Sequence, residues 1–342
     1  MGHPPYRDSS YYPRAATWIL FLIILVILIL ALTWWLTYKC LFNPDINMCE
    51  YPDYPYEDIY IPLDGSPNEC YDYHDKPDKP CINMWYFGNN YSDYCDRLKE
   101  ENPYRNEFPP DRTMIFYHGN SGNISHRDYV IEVCREFGLN LLLVDYRGYG
   151  LSDGRPNVKG IMKDSILAYD YLRTRCQPEN IILWGESLGG AAAVHVASKR
   201  RCRCLVLIST FSSVDDVIFD SDTPGWFRYP LGSLVKMTTE PISSKTKISH
   251  VSCPVIVIHS EEDGYIGFNS AKRLYDSVPH DCKILIKIEG SHSAPLITNK
   301  QLHTILEFSD VETCNCNIDK MDKMLDDVRT VGVRKGLCEE PM

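Results

Sequence analysis

The first pattern along the chain is an uninterrupted apolar run. Residues 15–38 contain no charge, and 18–36 are almost wholly Leu, Ile, Val, Phe and Trp. At ~1.5 Å per residue such a run gives roughly 36 Å of helix, enough to cross a ~30 Å hydrocarbon core. Trp18 at one end and Trp34, Trp35 and Tyr38 at the other have the amphipathic rings suited to the two water interfaces. A cleaved leader has an apolar stretch of only ~7–15 residues and a small-residue cleavage site. This run is longer, and Thr33-Trp34-Trp35-Leu36 offers no such site. An uncleaved transmembrane helix over 15–38 is therefore expected.

From residue 113 the pattern changes to short apolar runs alternating with amphipathic stretches. It predicts strands at 114–117, 140–145, 180–184, 204–208, 254–259 and 283–288. Between them it predicts helices at 126–137, 161–173, 188–200 and 270–277, and a last one near 301–307. Apolar strands alternating with helices imply an α/β class with a mostly parallel sheet covered on both faces. Ligands in such sheets bind beyond the carboxyl ends of the strands. The segment between membrane run and sheet is dense in Tyr, Pro and Asp, as in residues 51–58, so long helices are not expected there. It reads as an irregular stalk or a disulfide-tied flap, or else as an acidic docking surface, with 82–87 as a strand joining the main sheet. The expected division is a tail at 1–14, the transmembrane helix at 15–38, the Cys-bearing stalk or flap at 39–110, the main domain at 111–309 and a Cys-bearing tail at 310–342.

Charge and cysteine usage bear on which side the main domain faces. The net charge of −11 over 342 residues argues against nucleic acid as a partner. Arg7 and Arg14 precede the apolar run, whereas only Lys39 closely follows it before Asp45, Glu50 and Asp53, which favours a cytoplasmic N-terminus. Cys40, Cys49, Cys70, Cys81 and Cys95 cluster after the run, as disulfides in an oxidising compartment would. Asn90-Tyr91-Ser92 is a glycosylation acceptor; Asn123-Ile124-Ser125 is another, but a glycan there would crowd a glycine-rich turn. A single-pass type II signal-anchor arrangement is expected, with a lumenal or extracellular body in the endoplasmic reticulum, another endomembrane or the cell surface. Tyr6 stands where a myristoylation signal needs Ser or Thr. Cys202-Arg203-Cys204 and Cys314-Asn315-Cys316 have C-x-C spacing, unlike the C-x₂₋₄-C of zinc sites, and read as thiols or disulfides. No phosphate-binding glycine loop occurs, so no phosphate cofactor is expected, and the C-x-C spacing leaves no metal expected either. Lys199-Arg200-Arg201 suits the negative end of the helix before it.

The candidate chemistry sits at the strand ends. Gly185-Glu186-Ser187-Leu188-Gly189, followed by Gly190 and an Ala-rich helix, is G-x-S-x-G between a strand and a helix. Strand and helix cross closely there, so the glycines clear the crossing and Ser187 stands at the sheet's mouth, beside a helix N-terminus. A serine nucleophile needs a base, and the order Ser…Asp…His favours His292, beyond the 283–288 strand, over His195, His250, His259, His280 and His303. The acid should follow the penultimate strand. Asp263 is favoured there, with Glu261 and Glu262 as neighbours and Asp215 or Asp216 as alternatives. After the 114–117 strand, His118 to Asn123 forms a turn able to present a backbone N–H alongside that of Leu188, with His118 and Gly119 shaping the turn.

His118-Gly119-Asn120-Ser121-Gly122-Asn123-Ile124, Asp145-Tyr146-Arg147-Gly148-Tyr149-Gly150 and Gly185-Glu186-Ser187-Leu188-Gly189-Gly190 together resemble the α/β-hydrolase superfamily. They most resemble its small membrane-anchored α/β-hydrolase domain-containing subgroup, over roughly 111–308. The resemblance implies an α/β-hydrolase fold, a mostly parallel sheet with helices on both faces, here preceded by one transmembrane helix. It also implies Ser187 as nucleophile, Asp263 as acid, His292 as base, and Asn120 and Leu188 as oxyanion N–H donors. Two departures are Ser260 where relatives usually have Gly, and Ser291-His292-Ser293 where Gly-His-Asn or Thr-His-Asn is usual. Neither removes a reacting atom. The expected function is acyl-transfer hydrolysis of an ester or thioester, with the bilayer as partner through 15–38. The alternatives are a non-catalytic binding or scaffold protein on the same fold and a serine peptidase or amidase. Trp226, Phe227, Tyr229 and Leu234, in the 213–250 connection, would suit an acyl chain or pack as core.

Overall fold

The computed structural model describes residues 11–65, 71, 76, 78–88, 111–220, 225–238 and 242–309. Its first element is a 31-residue helix, α1 (Tyr11–Leu41). Within it Ala16–Leu41 has a mean hydropathy of 3.1 and is long and apolar enough to cross a membrane. Trp18, Leu22, Ile27 and Leu32 are all exposed. Thr33 and Thr37 donate their hydroxyls to the carbonyls of Ile29 and Thr33, at 2.9 and 2.8 Å, so the helix satisfies its own polar side chains.

Among the described residues the body has eleven strands, nine of them hydrogen-bonded in one main sheet. In chain order the strands are β1 (Asn43–Pro44), β2 (Glu57–Pro62), β3 (Cys81–Phe87), β4 (Thr113–Tyr117), β5 (Ser121–Gly122), β6 (Asn140–Val144), β7 (Ile181–Glu186), β8 (Cys204–Ile208), β9 (Val255–Ser260), β10 (Lys283–Ser291) and β11 (Ala294–Leu296). The main sheet runs β11-β10-β9-β8-β7-β4-β6-β3-β2, and β1 pairs separately with β5. From β6 through β10 every pairing is parallel; β2, β3 and β11 join antiparallel at the two edges. The helices are α2 (Asp128–Phe137), α3 (Val158–Leu172), α4 (Leu188–Ala197), α5 (Val214–Asp220), α6 (Gly225–Thr238), α7 (Ser244–Lys247), α8 (Phe268–Ser277) and α9 (Asn299–Phe308).

Strand periodicity divides the core into two layers. Ile115, Tyr117, Leu183 and Leu205 face α3 and α4, whereas Met114, Phe116, Trp184 and Val206 face α2 and α9. Because β4 has β6 on one side and β7 on the other, chain order reverses at β4, which opens a crevice at its carboxyl end. Arg147, on the loop after β6, clamps that loop to α3 through two bonds to Asp164, Nε–Oδ2 2.9 Å and Nη2–Oδ1 2.6 Å.

Several elements differ from the pattern reading. The 126–137 helix is a short 3₁₀ turn (Ile124–His126) followed by α2, which stops where Gly138 takes φ +70°. The stalk is not wholly irregular: Ile59, Tyr60 and Ile61 are buried in β2, whose acidic start and terminal Pro62 suit a sheet edge. β10 runs on to Ser291 and turns back into β11, a hairpin that local alternation did not indicate. Cys40, Cys49 and Cys81, expected in disulfides, are unbonded thiols, while Cys282 is disulfide-bonded. Asn90, Cys70, Cys95, Cys314, Cys316 and the 310–342 tail lie outside the described residues.

Candidate active site

Ser187 occupies the turn between β7 and α4 with φ 51° and ψ −115°, a left-handed backbone position disfavoured for any residue with a Cβ. The surroundings hold it there. Its N–H donates to the Ile208 carbonyl at 3.0 Å, and its own carbonyl accepts the Thr210 hydroxyl at 2.6 Å. The flanking glycines are sterically required. A Cβ on Gly189 would lie 1.8 Å from the Tyr117 carbonyl oxygen, and one on Gly185 would lie 2.5 Å from that of Gly189.

The structure brings Ser187, His292 and Asp263 into one hydrogen-bonded chain. Ser187 Oγ lies 3.1 Å from His292 Nε2, and His292 Nδ1 lies 2.7 Å from Asp263 Oδ2. An ionised carboxylate only accepts, so Nδ1 carries the proton and Nε2 is free to accept from the serine hydroxyl. His292 comes from the β10–β11 turn and Asp263 from the loop after β9. Asp263 Oδ1 also accepts the N–H groups of Tyr265 and Ile266, at 2.9 and 2.8 Å. Burial alone would raise the Asp263 pKa; hydrogen bonds from His259 and His292, with the Ile266 N–H, outweigh it and hold the carboxyl well below the usual carboxylate range.

His259, disfavoured as a base by the Ser…Asp…His order, braces Asp263: its Nε2 donates to the Ile266 carbonyl at 2.8 Å and lies 3.3 Å from Asp263 Oδ2. Its place four residues before Asp263 was visible; that both side chains turn inward was not. Three of the alternative carboxylates are engaged elsewhere. Asp216 pairs with Lys245, Glu261 with Lys287, and Glu262 accepts the Gly290 N–H.

Stability should carry the signature of Asp263. A carboxyl whose pKa is depressed on folding contributes stability fully above its unfolded value of ~3.9, and that contribution is lost as pH falls toward the folded pKa. Thermal unfolding of wild type and Asp263→Asn is therefore expected to show a gap that is constant from about pH 7 to pH 5 and narrows below about pH 4. A gap that widens toward acid would contradict this.

The loop after β4 lies against the serine, since a Cβ on Gly119 would come within 3.5 Å of Ser187 Cβ. His118 is fully buried, bonded to the Gly119 carbonyl at 2.7 Å and 3.2 Å from Asp145. It shapes the turn and does not approach Ser187. Asn120 is placed by the stalk: its side chain donates to the Cys40 carbonyl at 2.9 Å, and its carbonyl accepts the N–H of Asn43 at 2.9 Å and the Tyr149 hydroxyl at 3.0 Å. The Leu188 N–H, in the first turn of α4, has no intrahelical partner. Asn123 donates its side-chain amide to the carbonyls of Asp45 and Asn47 and is buried. On α6, Trp226 and Tyr229 are exposed and do not pack in the core.

Among the described residues, one group has metal-ligand atoms within 4.8 Å of one another: Asp45, Cys49 and His126. Cys49 Sγ and His126 Nε2 are 2.9 Å apart. This group joins stalk to loop and holds none of the Ser187, His292 and Asp263 side chains.

A family model described as alpha/beta hydrolase fold matches residues 112–253, a stretch that includes Ser187 and ends before Asp263. The lysophosphatidylserine lipase ABHD12 of Danio rerio is 26% identical over 235 residues, 64% of this chain and 61% of the relative. Alpha/beta hydrolase domain-containing protein 17C of Mus musculus is 31% identical over 206 residues, 59% and 61% of the two chains. The chain thus spans 61% of the length of these curated relatives. Among solved structures, an esterase of Pyrococcus furiosus superposes with a TM-score of 0.52 at 17% identity, over 85% of this chain and 98% of that one, a likeness of fold.

Proposed function

We propose that this chain, which has the α/β-hydrolase fold and alpha/beta hydrolase domain-containing relatives, is a membrane-anchored serine hydrolase of esters or thioesters. The observation that carries the reading is the unbroken Ser187–His292–Asp263 chain of hydrogen bonds. Ser187 Oγ attacks the acyl carbonyl while His292 Nε2 takes the hydroxyl proton; Asp263 keeps the imidazole in the required tautomer and stabilises its cation. The Asn120 and Leu188 N–H groups stabilise the oxyanion. His292 returns the proton to the leaving alcohol or thiol, and water then repeats the sequence on the acyl enzyme.

Substrate class follows from the surroundings. The last turn of α1 and the residues just after it bond the Asn120 loop, through the Cys40 carbonyl and the Asn43 N–H, which supports a reacting centre close to the bilayer surface. One relative bears the name of a lysophosphatidylserine lipase. A lipid or acyl ester is accordingly favoured over a peptide. The test is full-length protein in detergent, challenged with a fluorophosphonate probe, acyl esters of graded length and aminoacyl amides. Probe labelling with turnover of the esters is expected. Resistance to the probe under conditions that label other serine hydrolases would favour a non-catalytic scaffold, and preference for amides a peptidase.

The body is proposed to face the lumen or exterior, on the basic residues preceding the span and the Asn90 sequon. Glycosidase treatment of the membrane-expressed protein is expected to shift its mobility, and Asn90→Gln to abolish that shift. Protease digestion of the body in sealed, right-side-out microsomes would place it in the cytosol instead.

A further inference from the structure

Away from Ser187, helices α3 and α4 and the short α7 border an open cavity of about 640 Å³. Lys159, Lys163, His195, Lys199, Arg200 and Lys247 line it, beside the apolar Met162 and Ile166, and among the described residues no carboxylate does. Such a lining runs against the composition of a chain with 46 acidic and 35 basic residues. Arg200 is bonded to Asp170 at 2.7 and 2.9 Å. Among the described residues, Lys163, Lys199 and Lys247 have no carboxylate within ion-pair distance. The buried Nδ1 of His195 has no hydrogen-bond partner.

Helix electrostatics explain part of this lining and leave the rest. Lys199 and Arg200 follow α4, where cations suit the helix C-terminus. Lys159, however, sits in the first turn of α3, where the dipole disfavours it, and Lys163 follows one turn later. Facing cations also raise one another's energy. Burial and Lys199 push the Lys247 ammonium down; burial, Lys247 and Lys199 push His195 down to about 4. Lys163, Lys199 and Lys247 thus concentrate positive charge on one cavity wall with no carboxylate paired to them among the described residues.

We infer that this cavity binds a phosphate-bearing anion with a short apolar portion. Ammonium groups from three separate segments, Lys163, Lys199 and Lys247, line one cavity, as a phosphate's several acceptor oxygens require. Met162 and Ile166 would contact the apolar part. The phosphate could be carried by a lipid headgroup or by a soluble ester; the chemistry at the lysines is shared. The inference does not depend on the hydrolase reading.

The test is calorimetric titration of the full-length protein in non-ionic detergent with two probes, pyrophosphate and dihexanoyl phosphatidic acid. Saturable binding of at least one probe is expected, weakened about tenfold or more in Lys163→Glu/Lys199→Glu. Thermal unfolding without ligand should stay unchanged in that variant. If it does not fold, Lys163→Gln/Lys199→Gln takes its place, with weakening again expected. Binding of pyrophosphate indicates the soluble source, and binding of phosphatidic acid alone the lipid source with the apolar wall taking part. No binding of either probe, or equal affinity in the folded charge variant, overturns the inference.

Discussion

Ser187→Ala is expected to abolish fluorophosphonate labelling and to lower acyl-ester turnover by roughly 10⁶-fold, the scale seen when the nucleophile of such a chain is removed. The loss should fall on kcat, because the hydroxyl forms its bond to substrate only in the reaction. The fold should be largely indifferent. Ala is no more strained at φ 51° than Ser, and the bonds that hold the turn are made by the backbone of residue 187. His292→Ala should cost a similar factor, and the double variant little more than either single one, since the two groups act as a unit. Retained labelling in Ser187→Ala would move the nucleophile to another residue and sink the assignment.

Gly189→Ala is expected to be the most destabilising methyl that can be added near the site. Its Cβ would stand 1.8 Å from the Tyr117 carbonyl oxygen and 2.7 Å from that of His118, both backbone atoms at the end of the central strand. Neither can move without separating β4 from its neighbours. A loss above ~4 kcal/mol is expected, of the kind reserved for backbone collisions and overpacked cores. In a body of this size that lowers the unfolding midpoint by roughly 10 °C or more. Gly264→Ala is the control: nothing lies within 4 Å of its Cβ, and the midpoint should scarcely change. Similar behaviour of the two variants in thermal unfolding would show that the crossing is looser than its distances indicate.

The contrast between those two glycines bears on what could be read without the fold. Gly185, Ser187 and Gly189 were legible because a strand followed by G-x-S-x-G and a helix is a local arrangement, complete within about ten residues. The apolar helix was legible for the same reason, since length and hydropathy are properties of one segment. The parallel sheet followed from alternating apolar runs. Asp263 and His292 were named from their places beyond strands, although what joins them to Ser187 is the side-by-side order of β7, β8, β9 and β10.

Other features required the tertiary structure. β2 carries acidic and Pro residues that suggest a loop, and becomes a strand because β3 offers it an edge. The stalk reaches the loop beside Ser187 through pairing of Asn43 with Ser121, which no local pattern encodes. His259 reads as the polar end of a strand until the turn after β9 brings Asp263 back to it. Lys163, Lys199 and Lys247 are scattered charges along the chain and become one cationic cavity only where α3, α4 and α7 meet. Segment-level patterns determined the apolar helix, the parallel strands with most of their helices, and where a nucleophile could stand. Contacts between residues distant in sequence decided what each side chain faces, because folding brings such residues together through burial and pairing that no single segment contains.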